Sequence, residues 1–318
     1  MLDLDKEFIK SFQKAAMELR ERLGQKPKKQ TTRELIQQKG IGKYRNSKKL
    51  SQAELSKISD SGGIVGVDGS TNSSRGHYPY LITVQQALAK SSRGRKDIVL
   101  SDAFSPLTQE EIIPEEEYRK QVKQNLAYLE IQAALLAIRE FKPRVMLMDG
   151  SLVRFKIEAP ELWEKLKEEV LSREIILVGV VESISTAIIS SCLKDELSSL
   201  LSYALDWELL FGILEIGEAL EMVAGLFKDD FATCFMRPSR DPKPIGLDLP
   251  QEQSQYMPLI QDLVYTLAPA DGRGIPLWLD IIDRQVRVTD VMMEVLINAY
   301  LGEDYAKYLL PKRNDRSL

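Results

Sequence analysis

Apolar positions along the chain recur with a period near 3.6 in some stretches and cluster into short runs in others, which separates helices from strands. Residues 8–23 place Phe8, Ile9, Phe12, Ala16, Leu19 and Leu23 at helical spacing, with Gly24 as a stop, and predict an amphipathic helix. The run Gly63-Ile64-Val65-Gly66-Val67 ends abruptly in Asp68-Gly69-Ser70-Thr71-Asn72, so it reads as a buried strand with a carboxylate at its tip. Residues 78–89 and 97–100 predict two further strands, with Ser91-Ser92-Arg93-Gly94-Arg95 as the turn between them. A long helix is predicted from Pro114 to about Phe141, because Glu115, Glu116 and Glu117 suit its positive amino-terminal end. Its apolar stripe is Val122, Leu126, Leu129, Ala133 and Leu136, and Glu130 projects from that same face. A carboxylate there must be neutral, paired or bound to a metal, because burying an unpaired charge is costly. The alternative is a glutamate at the edge of the stripe whose head reaches water.

The first strand pattern returns at Arg144-Val145-Met146-Leu147-Met148, which stops at Asp149-Gly150-Ser151-Leu152. Short apolar runs bounded by turn residues are typical of parallel strands covered on both faces, and ligands bind outside the carboxyl ends of such strands. Asp68 and Asp149 are expected there, although Asp-Gly-Ser is also ordinary turn chemistry. Beyond them the pattern predicts a helix over 160–171, a strand over 174–181 leading into Glu182-Ser183, and helices over 187–201 and 206–226. A strand over 231–235, a Pro-rich loop to Leu249, and helices over 277–288 and 290–301 complete the reading. The two Asp-Gly-Ser tips are the only internal repeat.

With 318 residues, 44% of them apolar, the chain can bury a substantial core. Its net charge of −4 argues against non-specific wrapping of nucleic acid, so any such site must be local. One local excess exists: between Arg20 and Lys49 there are eleven Lys or Arg against two Glu. This segment is either a solvated linker or an arm that touches phosphates, with Lys48 and Lys49 as candidate substrate contacts. Three parts are expected: residues 1–61 as an amphipathic helix and basic segment, 62–301 as the main domain, and 302–318 as a tail. Two cysteines support neither a disulfide framework nor a four-ligand zinc site. With no charged-then-apolar leader and no apolar run near the roughly 20 residues that cross a bilayer, a cytoplasmic protein without membrane contact is expected.

An acid at the tip of the first strand, a second on the sheet-facing side of a helix and a third at the tip of the fourth strand form the layout of a ribonuclease H-like metal site. The expected fold is therefore α/β, a ribonuclease H-like mixed sheet flanked by helices, with an N-terminal helical and basic extension. Three like charges cannot share a pocket without a cation. Hard oxygen ligands suit Mn²⁺ or Mg²⁺, and two such ions fit phosphodiester hydrolysis by Asp68, Glu130 and Asp149. The glycines after each Asp let backbone approach a phosphate, and Ser70, Ser151 and Arg237 are further candidate substrate contacts. A single histidine, His77, and the lack of a G-x-S-x-G elbow argue against a serine hydrolase. An actin-like or sugar-kinase-like ATPase is the competing chemistry, since such proteins also hold phosphates with Asp-Gly-Ser/Thr at strand ends. Against it stand the short chain and the lack of a Gly-Gly adenosine motif near the C-terminus.

Val67-Asp68-Gly69-Ser70, Glu130, Met148-Asp149-Gly150-Ser151-Leu152, Phe235-Met236-Arg237-Pro238-Ser239 and Gly274-Ile275-Pro276-Leu277 with Asp283 together resemble the NurA nuclease family, over about residues 62–301. The resemblance implies a Mn²⁺-dependent 5′→3′ DNA exonuclease with single-strand endonuclease activity. It also implies a homodimer that works on single-stranded DNA and duplex ends with the hexameric HerA ATPase, in end resection for recombinational repair. It makes Asp68, Glu130 and Asp149 metal ligands and Asp283 a further metal-site residue. Two positions depart from the family pattern. Glu182 stands where many members have a Lys, and Ile275 replaces a Tyr, so a catalytically weakened scaffold or DNA-binding partner is the second reading.

Overall fold

The computed structural model describes residues 5–24, 29–197, 204–227 and 230–310. Its strands are β1 Gly42–Asn46, β2 Ile64–Ser73, β3 Thr83–Ser91, β4 Ile98–Phe104, β5 Val145–Asp149, β6 Ile176–Val181, β7 Glu218–Met222, β8 Phe231–Arg237 and β9 Ile245–Pro250. They form one mixed sheet in the order β1-β7-β8-β9-β6-β5-β2-β3-β4. β2, β5 and β6 are parallel neighbours, whereas every other pairing is antiparallel. The helices are α1 Lys6–Gly24, α2 Lys29–Gln38, α3 Gln52–Asp60, α4 Glu115–Phe141, α5 Leu152–Glu158, α6 Pro160–Ser172, α7 Ile188–Cys192, α8 Asp206–Leu210, α9 Met257–Leu267, α10 Leu277–Val286, α11 Asp290–Leu301 and α12 Glu303–Leu309.

Alternation along the central strands feeds two cores. Val65 and Val67 of β2 and Met146 and Met148 of β5 pack with Ala127, Ile131, Ala134 and Ile138 of α4 and with α5 and α6. Ile64, Val145 and Leu147 point the other way, onto α3, α9 and α10. Continuous apolar runs such as Ile176–Val181 follow from this burial on both faces. A third cluster joins Ile36 of α2 to Leu209 and Leu210 of α8 beside β7 and β8.

Several predicted elements change. The buried face of α4 runs through Ala127, Ile131, Ala134 and Ile138, while Leu136 is exposed, so the stripe is rotated from the one expected. Glu130 still lies inside it, three residues after Ala127 and four before Ala134. The helix expected over 206–226 ends as α8, and Glu218–Met222 is a strand, because Gly212 and Gly217 turn the chain in left-handed conformations. The expected Pro-rich loop contains β9, α9 was not anticipated, and the end of the helix expected over 187–201 lies outside the described residues.

The basic segment is neither linker nor free arm where it is described. α2 packs on the third core, and β1 pairs with β7 as the edge of the sheet. Several of its charges are met within the fold: Arg33 binds Glu218 through two contacts of 2.7 Å, and Arg45 binds Asp262 at 2.9 and 3.0 Å. Lys29 pairs with Glu215 and Lys39 with Glu196, each at 2.5 Å. Lys26 and Lys28 lie outside the described residues. Among the described residues no helix is long and apolar enough to cross a membrane.

Candidate active site

β2 and β5 run parallel with Val67 beside Met148, so the next residues, Asp68 and Asp149, emerge together at the carboxyl edge of the sheet. Because Val67 and Met148 face α4, alternation turns both aspartates to the α10 face. Gly66 leaves room there for Trp278, Leu279 and Ile282 of α10 to lie directly on β2. This close packing carries Asp283 toward the pair, and its charge helps raise the pKa of both aspartates.

Glu130 arrives from the opposite face, through the space that Gly69 leaves. A Cβ on Gly69 would lie 2.8 Å from Glu130 Cγ and 2.9 Å from its Cδ and Oε1. Glu130 is only 2% exposed, which excludes the reading in which its head reaches water. Its Oε2 accepts a 2.7 Å hydrogen bond from Arg154 Nη2. Arg154 belongs to α5, a short helix that starts directly after Asp149-Gly150-Ser151. The sequence reading passed over this helix and so missed the arginine. The signal was present: Ser151 stands at the amino-terminal cap, and Leu152 and Phe155, three apart, are both buried.

The electrostatics follow from burial and like charge. Burial, then Asp149 and Glu130, push the Asp68 carboxyl up to about 8, although the Gly69 amide opposes this by donating to Asp68 Oδ1 at 2.7 Å. Burial also raises Asp149, against a hydrogen bond from Asp68, while Asp283 and Glu182 add repulsion. Both carboxyls are therefore held above the ordinary carboxylate range by burial and by the charge of neighbouring carboxylates. Burial lifts Glu130 to about 7 even though Arg154 attracts the ionised form.

Among the described residues, no three Asp, Glu, His or Cys side chains stand together as a ready metal cage. The donor set nevertheless fits a hard divalent cation: the oxygens are buried, and their mutual repulsion is what such an ion relieves. The remaining candidates are occupied otherwise. Ser70 Oγ accepts from the Val288 amide at 3.0 Å, and Ser151 Oγ donates to Asp248 at 2.7 Å. The Arg237 guanidinium donates to the carbonyls of Leu214, Arg240 and Asp241, which makes it a clamp for its own loop. Lys48 pairs with Glu54, and Lys49 donates to the Tyr265 carbonyl above that residue's ring, so both engage α3 and α9 rather than the acids. Asp283 is held by Arg287 at 2.8 Å.

The family model described as NurA domain matches residues 62–288, which is most of the chain and includes all four acids. The chain belongs to the NurA family. Two solved NurA structures match it over nearly their whole length. One is a crystal structure of NurA with manganese, 15% identical, with a TM-score of 0.53, covering 92% of this chain and 98% of the other. The second is NurA bound to dAMP and manganese, 14% identical, with a TM-score of 0.52, covering 95% and 99%. No curated protein matches. The fold is thus the ribonuclease H-like mixed sheet of NurA. Glu182 and Ile275, the two positions expected to depart from the family pattern, are both engaged in the fold. Glu182 binds Arg273 at 2.6 Å, and Arg273 also binds Asp280 at 2.7 Å, so a cation stands beside this acid. Ile275 is buried in the α10-side core, where a tyrosine hydroxyl would need a partner.

Proposed function

We propose that this NurA-family chain is a Mn²⁺- or Mg²⁺-dependent DNA nuclease whose site is Asp68, Asp149 and Glu130, with Asp283 as a further metal-site residue. The observation that carries the reading is that Asp68 and Asp149 leave parallel β2 and β5 side by side, with Glu130 and Asp283 near enough to act on Asp68 by charge, and with burial and these neighbours pushing it up to about 8. Divalent cations held there, two per site in this reading, would supply Lewis acidity toward a phosphodiester and lower the pKa of water. Asp68 and Asp149 present oxygens side by side, and Glu130 adds a third carboxylate through the Gly69 gap. Gly69 leaves the room that Glu130 fills, and Gly150, where a Cβ would meet nothing nearer than Arg154 Nε at 3.7 Å, leaves the β5 end open to a phosphate. The other polar groups hold the scaffold: Ser151 ties the start of α5 to β9, and Ser70 ties β2 to the segment entering α11.

The family supports a nuclease of the NurA type. The finer reading is a 5′→3′ exonuclease and single-strand endonuclease that works as a homodimer with a HerA-like hexameric ATPase in DNA-end resection. Incubating the protein with end-labelled single-stranded and duplex DNA tests it. Short products from the 5′ end in Mn²⁺, abolished by chelator, are expected, and undiminished cleavage in excess chelator would sink the mechanism. A weakened scaffold is the second reading, and the observation favouring it is Glu182 in place of Lys, acting to repel Asp149. A scaffold would bind DNA and its ATPase partner and show no cleavage with either ion.

A further inference from the structure

Arg154 stands between the buried Glu130 and the partly buried Glu158 and is shared unequally. Its Nη2 lies 2.7 Å from Glu130 Oε2, whereas its Nη1 lies 3.7 Å from Glu158 Oε2, within ion-pair range but too far for a hydrogen bond. Glu158 Oε2 is buried and accepts no hydrogen bond, so an acceptor waits beside the arginine. Arg154 and Glu158 are four residues apart on α5 and therefore share a face. The guanidinium rests over the Phe155 ring at 4.3 Å, a flat contact that tolerates sliding. Its Nε also passes within 3.7 Å of where a Cβ of Gly150 would lie, next to Asp149.

We propose that Arg154 is a positioning residue with two stations, holding Glu130 in the metal-free protein and passing to Glu158 when a divalent cation is bound. The proposal rests on the reading of Glu130 as a metal ligand. Without a cation, Glu130 lies beside Asp68 and Asp149, and among the described residues Arg154 is the positive group bonded to it. A bound cation takes over that role and repels the guanidinium. The open, buried Oε2 of Glu158 then receives it, so the guanidinium keeps a carboxylate partner and that oxygen gains a donor. Arg154 thus competes with the metal for Glu130, and Glu158 offsets the cost of letting go.

The two stations make opposite predictions. Mn²⁺ binding to the whole protein, followed by the electron paramagnetic resonance of the free aqua ion, should tighten about tenfold in Arg154→Met, because a charge-assisted hydrogen bond no longer competes. Glu158→Gln should weaken binding several-fold, since the released arginine then meets a neutral amide oxygen instead of a carboxylate. Arg154→Lys, which keeps a cation near Glu130, should return the affinity toward that of the parent. If Arg154→Met folds only with Mn²⁺ present, the proposal stands, because the ion then replaces the missing counter-charge. Weaker or unchanged binding in Arg154→Met, or unchanged binding in Glu158→Gln, overturns it and leaves Arg154 a fixed structural partner. A parent protein that binds no Mn²⁺ overturns the nuclease reading itself, and this proposal with it.

Discussion

Gly69→Ala is the smallest change that separates the position of Glu130 from its chemistry. The added methyl would sit 2.8 Å from Glu130 Cγ and 2.9 Å from both Cδ and Oε1, where ordinary contact begins near 3.4 Å. Glu130 must therefore retreat by roughly half an ångström or more, or α4 must lift from β2. Retreat is resisted by Arg154 at 2.7 Å and by the packing of Ala127, Ile131 and Ala134 around the same helix. Overpacking of this kind costs roughly 1 to 3 kcal/mol, which leaves a folded protein. A displacement on the order of 1 Å in a catalytic group can cost about 100-fold in rate. Melting the variant in chelator and assaying cleavage in Mn²⁺ should thus give a modest loss of stability and a much larger loss of activity. Adding Glu130→Asp shortens the side chain and should restore stability without restoring cleavage. A Gly69→Ala protein that cleaves at the parental rate would refute the claim that Glu130 works through the gap beside Asp68.

Three further outcomes are expected. The folded, metal-free protein holds protons on Asp68 up to about pH 8 and on Glu130 up to about pH 7 that the unfolded chain has released near pH 4, so it binds more protons and its stability falls as pH rises across that window. Melting in chelator should show this slope, and Asp68→Asn should flatten it; an identical slope in the variant would contradict the assigned repulsion. Arg45→Ala should destabilise the fold by about 3 kcal/mol in thermal melts, because it leaves the buried Asp262 with the Lys48 amide and no cation, and a loss below about 1 kcal/mol would make the pair ornamental. Neutralising Lys48 and Lys49 together should leave the salt dependence of DNA binding unchanged, since both are engaged within the fold, whereas a slope lowered by nearly two units would return them to phosphate contacts.

The parts of this molecule legible in its sequence are those where local pattern and tertiary burial agree. Asp68 and Asp149 follow apolar runs that could only be buried strands, and parallel pairing then sets them side by side. Glu130 could be placed on the inward face of a long helix even though that face was drawn too far round. What stayed hidden depended on distant partners. The basic stretch looked free because the carboxylates that neutralise it, Glu218 and Asp262, lie almost 200 residues or more further along the chain. β7 and β9 are short strands defined by pairing with β8, and their apolar residues suit a helix or a loop equally well in isolation. Arg154 is hard to single out because α5, seven residues long, offers only its Ser151 cap and the Leu152–Phe155 pair as signal. Its importance lies in two partners, one of them 24 residues upstream on another helix.

The central claim is that the acids meeting at the ends of β2 and β5 are the catalytic machinery of a metal-dependent nuclease. The most direct test compares the parent with Asp149→Asn, matched in fold by melting, on end-labelled single-stranded DNA with Mn²⁺ and with chelator. Cleavage by the parent in Mn²⁺ alone is expected, with a loss of orders of magnitude in the variant and DNA binding retained. Equal cleavage by the two proteins in Mn²⁺ would contradict it.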